Sequence, residues 1–335
     1  MLAARLRWAD GQFALRQIPI PRPRRGEALI KVMAAGVCLS DVHMIHGLKP
    51  RNVTAEEVTL GHETAGLVVE VGPDVDGWDE GDRVVVGSIL GAVGQPRLTM
   101  GVHFDGGWAE YTAVPVELLE PMPDTMTFDE AAIVPDAVST PWGTIRDVAR
   151  VKPAETAGVW GVGGLGSHMV RLLRLVGAAP IVAVDPLPAA RERALAFGAD
   201  AAFDPASPSL AADIRAVTGP RGLDVAFDVA GFGGVVEQIL ELLAPRGRVS
   251  VTGISALPIA IEQSVQFIGA ERQILGHYGY SQSHVAEVVK LARLGRLDLA
   301  PSISRTMPLA AAAEAVRDLE DKRGDPIRIV LHPSD

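Results

Sequence analysis

Cysteine is almost absent from this sequence: Cys38 is the only one in 335 residues. No internal disulfide can form, and the expected compartment is the reducing cytoplasm. Long apolar runs are also missing. The stretches 84–96 and 249–261 are short, carry Gly or Pro and are flanked by charges, so neither reads as a membrane span. Arg5, Arg7 and Asp10 interrupt any apolar core at the N-terminus, so no signal-peptide pattern is expected there. Positive charge is in deficit, with 31 Lys and Arg against 41 Asp and Glu and a net charge of −10. Such a chain is not built to wrap a polyphosphate, and nucleic acid is not an expected partner. Its one basic run, Arg22 to Arg25, is broken by Pro23 and reads as a solvated loop. There is no internal repeat and no low-complexity tract.

Material for buried cores is ample. Apolar residues make up 48% and charged residues 21%, which excludes wholesale disorder. The length suggests two domains at about 150 residues each. Up to about residue 140 the pattern is strand-like. Segments 28–32, 66–71 and 83–86 are short, β-branched and separated by Gly, Pro and Asp. After Pro141 the character changes to strands alternating with helices. Strands are expected at 158–161, 181–184, 225–229 and 248–252, and helices at 167–177, 189–197 and 235–243. This alternation predicts an α/β unit with a doubly wound parallel sheet. The tail adds helices at 284–294 and 309–319 and a closing strand at 327–331 that can rejoin the first domain. A nucleotide-binding domain inserted in a discontinuous, mainly β domain follows.

Between the strand at 158–161 and the next helix lies Gly161-Val162-Gly163-Gly164-Leu165-Gly166. In that setting the first glycine permits a tight turn, the second lets backbone approach a pyrophosphate, and the third lets helix and strand pack closely. Asp185 closes the strand 181–184, at the distance where a carboxylate can accept the ribose hydroxyls of NAD and repel a 2′-phosphate. The same residue also precedes a helix and can serve as its N-cap.

A thiol, a hydroxyl, a carboxylate and an imidazole crowd into Cys38-Leu39-Ser40-Asp41-Val42-His43, and Gly61-His62-Glu63 follows. Further on, Pro135-Asp136 stands just before Ser139-Thr140-Pro141. A thiolate, an imidazole and a carboxylate suit a catalytic zinc with one open position. Spacing alone does not single out Asp136 among the acidic residues. His46 reads as a surface or pocket residue. His103, His277 and His284 read as surface or satisfied core, and His168 as packing or capping. Trp108 and Trp142 read as core or as cleft-lining side chains.

The chain resembles the zinc-dependent medium-chain alcohol dehydrogenases. The resemblance rests on Gly36 to His43, on Gly61 to Glu63, on Gly81-Asp82-Arg83-Val84, on the glycine loop, and on Arg328-Ile329-Val330. It implies a GroES-like catalytic domain (1–142 and 278–335) around a Rossmann domain (143–277). It implies one catalytic zinc held by Cys38, His62 and an aspartate-type third ligand, Asp136, with Glu63 beside the metal as a ligand that exchanges with water. Asp41 would orient the histidine ligand. Ser40 and His43 would relay the alcohol proton, and hydride would pass between the alcohol and NAD in preference to NADP. Thr140 would lie near the nicotinamide, Arg328 would contact the pyrophosphate, and Ala230, Gly253 and Ile254 would sit near the cofactor. Partners would be a small alcohol or carbonyl substrate and a second copy or more of the chain, as homodimer or homotetramer. Many relatives carry a four-cysteine lobe for a second zinc; residues 87–107 here contain no cysteine. The alternatives are a zinc-free enoyl or quinone reductase of the same superfamily, which would lack the ligands, and a non-catalytic NAD-binding protein.

Overall fold

Strand Glu27–Val37 organises the first part of the chain, and its almost unbroken apolar run is buried along nearly its whole length. A run of this kind suits a strand covered on both faces. Along one edge it pairs antiparallel with Thr64–Val71; along the other it pairs with Tyr111–Pro115 and then with Arg328–His332. The path of the sheet is Leu119–Pro121, Arg83–Val86, Thr64–Val71, Glu27–Val37, Arg328–His332 and Ile303–Pro308. The closing strand expected at 327–331 is thus Arg328–His332, in the sheet of the first domain. A computed structural model describes residues 1–92, 94–255 and 257–333 of the chain. It divides into two compact units, Met1–Ser139 with Tyr280–Asp335, and Thr140–Gly279.

In the first unit a smaller sheet, Gln12–Gln17, Leu2–Arg7 and Glu57–Thr59, closes a core that includes Leu6, Val32, Leu60, Ile329 and Leu331. Trp108 is fully buried in this core. Its indole N–H donates to the Gly36 carbonyl at 2.9 Å, and its ring meets Phe13 edge-on at 6.0 Å. Of the two readings of Trp108, core and cleft-lining, the core one holds: the ring fills the space beside Gly61, where a Cβ would collide with it.

Helix Phe128–Ile133 starts at a capping box, in which Thr127 accepts from the Glu130 amide and the Glu130 carboxylate accepts from the Thr127 amide at 2.9 Å. It runs into a π-helical turn, Val134–Val138. Pro135 has no N–H to give the preceding turn, so the regular helical ladder cannot continue through it.

The second unit is a six-stranded parallel sheet in the order Ala201–Phe203, Ile181–Val184, Ala157–Trp160, Leu223–Asp228, Leu243–Val251, Gln273–Gly276. The three strands met first in sequence run outward one way from Ala157–Trp160 and the later three the other way, which creates a switch point between Ala157–Trp160 and Leu223–Asp228. Helices Gly164–Val176, Pro188–Ala196, Leu210–Thr218 and Val235–Leu242 connect the strands. Helix Gly164–Val176 stops at Gly177, whose φ of +85° is the left-handed conformation that costs glycine least.

Candidate metal centre and dinucleotide loop

Three strand ends of the first unit meet because their strands are antiparallel neighbours. Strand Glu27–Val37 leaves the sheet at Cys38. Strand Thr64–Val71 enters it just after His62 and Glu63, and the terminal strand enters at Arg328. Ala35 pairs with Thr64, and Val37 with Ile329, so the register fixes the three ends side by side. Asp136 arrives from the π-helical turn. The result is a group in which ligand atoms of Cys38, His62, Glu63 and Asp136 lie within 4.8 Å of one another.

Within it the Cys38 sulfur is 3.4 Å from Oδ2 of Asp136, and Nε2 of His62 is 3.7 Å from the same oxygen. Around a tetrahedral zinc with ordinary bond lengths, such donors stand about 3.4–3.6 Å apart. The other ring nitrogen of His62, Nδ1, faces Oδ1 of Asp41 at 3.4 Å, and the second Asp41 oxygen accepts from the Cys38 amide at 3.1 Å. Asp41 therefore orients the imidazole with Nε2 toward the thiol and the carboxylate, as a carboxylate behind a metal-bound histidine does. The donor set fits a zinc ion.

Electrostatics point the same way. Burial by itself lowers the His62 pKa, yet Asp41, Asp136 and Cys38 raise it well above the usual histidine range. The cluster thus attracts positive charge. Burial raises the Glu63 carboxyl, opposed by Arg328. Arg328 sits with Nη2 3.0 Å from Glu63 and 3.9 Å from Asp136, and its side chain is 4% exposed. Burial would lower its pKa, but Glu63 and the other acids around it raise it, so the guanidinium stays charged. Room for the Glu63 carboxylate exists only because residue 36 is glycine; a Cβ there would overlap it.

Ser40 lies in the first turn of helix Leu39–Ile45, and its Oγ is 3.1 Å from Nε2 of His62, on the donor side of the cluster. His43 stands one turn further along the same helix, half-buried. His46 is an exposed residue paired with Glu320 at 2.9 Å. His103 takes the Thr99 amide on Nδ1 at 2.9 Å, and His168 is buried with Nδ1 2.7 Å from the Gly164 carbonyl oxygen.

In the second unit each glycine of the loop has a distinct physical reason. Gly161 has φ +91° and presses on Ala230; Gly163 has open space where a Cβ would be; Gly166 lies so close to the Gly161 carbonyl that no Cβ fits. Helix Gly164–Val176 has no side-chain cap at Gly163, so its first-turn amides are left for an anion. The loop thus fits a pyrophosphate. Asp185 is buried; Oδ2 accepts from the Val162 amide at 2.7 Å and Oδ1 from the Leu187 amide at 2.9 Å. It is not the cap residue of the next helix, which is Leu187. Each oxygen keeps a lone pair for a ribose hydroxyl. At the neighbouring strand end, Asp228 accepts from the amides of Ala230 and Gly231 and its carbonyl accepts from Gly253. Ala230 and Gly253 are thereby held beside the loop, and Ile254 follows, 53% exposed. Thr140 is buried, with its carbonyl accepting from the Thr144 hydroxyl at 2.9 Å.

Sequence reading missed three of these features: the Glu63–Arg328 pair, the space that Gly36 leaves, and the π-helical turn under Asp136. Pro135 was a signal for the last. Nothing local signalled the pair, because its partners are remote in sequence.

A largely buried sulfur, nitrogen and oxygen donor set on one unit, with a dinucleotide-type loop on the other, defines a metal-dependent dehydrogenase in class. Residues 24–124 match the alcohol dehydrogenase GroES-like domain and residues 164–293 the zinc-binding dehydrogenase domain. An NAD-dependent alcohol dehydrogenase of Sulfurisphaera tokodaii is 32% identical, over 96% of this chain and 97% of that protein. The crystal structure of 2R,3R-butanediol dehydrogenase from Bacillus subtilis superposes with a TM-score of 0.91 at 28% identity, covering 99% of both chains. That of AibC gives 0.88 at 32% identity, covering 100% of this chain and 96% of that one. The chain belongs to the zinc-type medium-chain alcohol dehydrogenase family.

Proposed function

We infer that the chain transfers hydride between an alcohol and NAD, or in reverse to an aldehyde or ketone, in a zinc-dependent reaction. The observation that carries this reading is the convergence of Cys38, His62 and the half-buried Asp136 on one point, backed by Asp41. When bound, zinc supplies Lewis acidity toward the substrate oxygen and NAD supplies the hydride acceptor. The protein residues do the rest. Cys38, His62 and Asp136 hold the metal, with Glu63 within reach as an exchanging ligand. Arg328 keeps the buried Glu63 and the half-buried Asp136 compensated. Ser40 takes the substrate hydroxyl proton and hands it toward His43. The glycine loop binds the pyrophosphate and Asp185 the adenosine ribose. The unit Thr140–Gly279 is the cofactor domain in this reading, and the remainder is the catalytic domain.

A screen of primary, secondary and polyol substrates with NAD and NADP tests the reading. Turnover of at least one alcohol class with NAD is expected. The kcat/KM for NAD should exceed that for NADP, because the Asp185 carboxylate repels a 2′-phosphate. Asp185→Ser with Pro186→Arg should shift that preference toward NADP; a wild type that works better with NADP rejects the Asp185 role. Ser40→Ala should lower alcohol oxidation by about 10²-fold or more, the usual scale of positioned proton transfer. His43→Gln should cost less, since water can replace a terminal relay group. Near-normal turnover of Ser40→Ala across the pH range rejects the relay.

We also propose a homodimer or homotetramer, supported by helix Ser264–Gly269, which buries none of its residues and leaves Val265 83% and Ile268 71% exposed. Light scattering of the purified protein decides it. A cytoplasmic location is proposed because a reducing compartment keeps the Cys38 thiol free for metal; fractionation of the source cells checks it. No helix among the described residues is long and apolar enough to cross a membrane.

A further inference from the structure

The peptide unit of Val162, in the middle of the glycine loop, is gripped from both sides. Its N–H donates to Oδ2 of Asp185 at 2.7 Å. Its carbonyl accepts from Nη2 of Arg193 at 2.5 Å and from the Ser167 hydroxyl at 3.1 Å. Arg193 Nε donates in turn to that hydroxyl at 3.2 Å, so guanidinium, hydroxyl and carbonyl close a small ring of hydrogen bonds. Arg193 stands on helix Pro188–Ala196, and Ser167 on the helix that the loop opens. A neighbour on the same helix, Arg191, donates to the Asp185 carbonyl at 2.8 Å and so fixes the other arm of the grip.

We propose that Arg193 is a positioning residue for the dinucleotide: it locks the Val162 peptide so that the Gly163 backbone and the first-turn amides already face the pyrophosphate before the cofactor arrives. This rests on reading the loop as the NAD site. Glycine makes the loop easy to bend but also costly to order, since glycine loses the most conformational freedom on fixing. Four glycines in six residues therefore need an external restraint if binding is not to bear that ordering cost. Val162 is the first non-glycine in the run, and both of its backbone polar groups are used for the restraint. The bond from Arg193 to its carbonyl is charge-assisted, which makes it the stronger kind.

The test uses Arg193→Met, which keeps the length of the aliphatic stem, and Arg193→Lys, which keeps the charge. NADH and ADP-ribose both carry the pyrophosphate, and their dissociation constants for Arg193→Met should rise about tenfold, which is about 1.4 kcal/mol. Adenosine, which lacks it, should compete with less than a twofold change. Arg193→Lys should recover part of the loss. Equal weakening of adenosine and NADH would mean that Arg193 merely supports the fold, and unchanged NADH binding would also overturn the proposal. Should Arg193→Met fail to fold, Ser167→Ala removes the hydroxyl from the ring and should weaken NADH about threefold; no change there rejects the lock. Wild-type protein that binds neither NADH nor ADP-ribose overturns the cofactor reading itself, an outcome distinct from a variant that matches the wild type.

Discussion

Cys38→Ala is expected to lose most of its zinc and nearly all of its activity. The purified wild type, freed of loosely held metal, should contain one zinc per chain. The variant should fall well below that, with kcat/KM reduced about 10³-fold or more, the scale of several kcal/mol of lost charge stabilisation. The argument is geometric. Three protein donors converge with Glu63 behind them, and removal of the sulfur leaves an imidazole and two carboxylates, both within ion-pair reach of Arg328. The count of one rests on the rest of the molecule. Among the described residues no second group of three or more such donors comes together. His103 and Asp105 are the candidate ligands in 87–107, and both are engaged, His103 with Thr99 and Arg51 and Asp105 with Arg5 and Thr59. Asp136→Cys is the sharper companion, because it exchanges a carboxylate for a thiolate in the same position and should still bind zinc. Two tightly bound zinc ions per chain would refute the count. Full activity with no zinc would give the protein to the zinc-free reductases.

The second large effect is expected from Gly166→Ala. A single methyl group there has nowhere to go: it would overlap the Gly161 carbonyl oxygen, and the Val229 side chain stands 3.2 Å away. Neither the strand end nor the helix start can yield without moving the loop between them. Overpacking of this kind costs about 1–3 kcal/mol of stability. The displaced loop should weaken NADH about a hundredfold, measured by fluorescence titration. Gly163→Ala is the internal contrast, since a Cβ there meets nothing within 4 Å in the protein. Its stability should stay near that of the wild type while NADH binding falls, because the space is reserved for the ligand. Equal affinity for NADH in Gly166→Ala and the wild type would show that helix and strand do not need this contact.

The second unit was readable because its signals are local. Strand Ile181–Val184 is bounded by Pro180 and Asp185, and helix Gly164–Val176 by its glycine loop and Gly177, so periodicity and punctuation fall within a few residues of each element. The first unit was less legible. Strands Leu2–Arg7 and Gln12–Gln17 carry arginines and glutamines among their apolar residues and gave little apolar pattern. Strand Leu243–Val251 begins five residues before the expected 248–252, across Pro245 and Gly247, which read as a break. At the metal site the residue types announced themselves at Cys38 and His62. Asp136 did not, because a carboxylate in a helical segment has no distinguishing neighbours, and only family resemblance selected it. Arg328 showed the limit most clearly. The residue was visible, but its closeness to Glu63 depends on the register of two strands that sequence pattern does not give.

The order in which this chain is made bears on that last pair. Cys38, His62 and Asp136 leave the ribosome first, then the whole unit Thr140–Gly279, and only afterwards the strand that delivers Arg328 into the sheet. Until that strand docks, the acidic cluster lacks its compensating guanidinium and one flank of strand Glu27–Val37 lies open. The donors Cys38, His62 and Asp136 thus carry less compensating positive charge before that strand docks than after it. The Glu63–Arg328 contact forms late, because its partners are separated by most of the chain. The last strand of the chain therefore closes the sheet around a centre whose ligands all precede it by far in sequence.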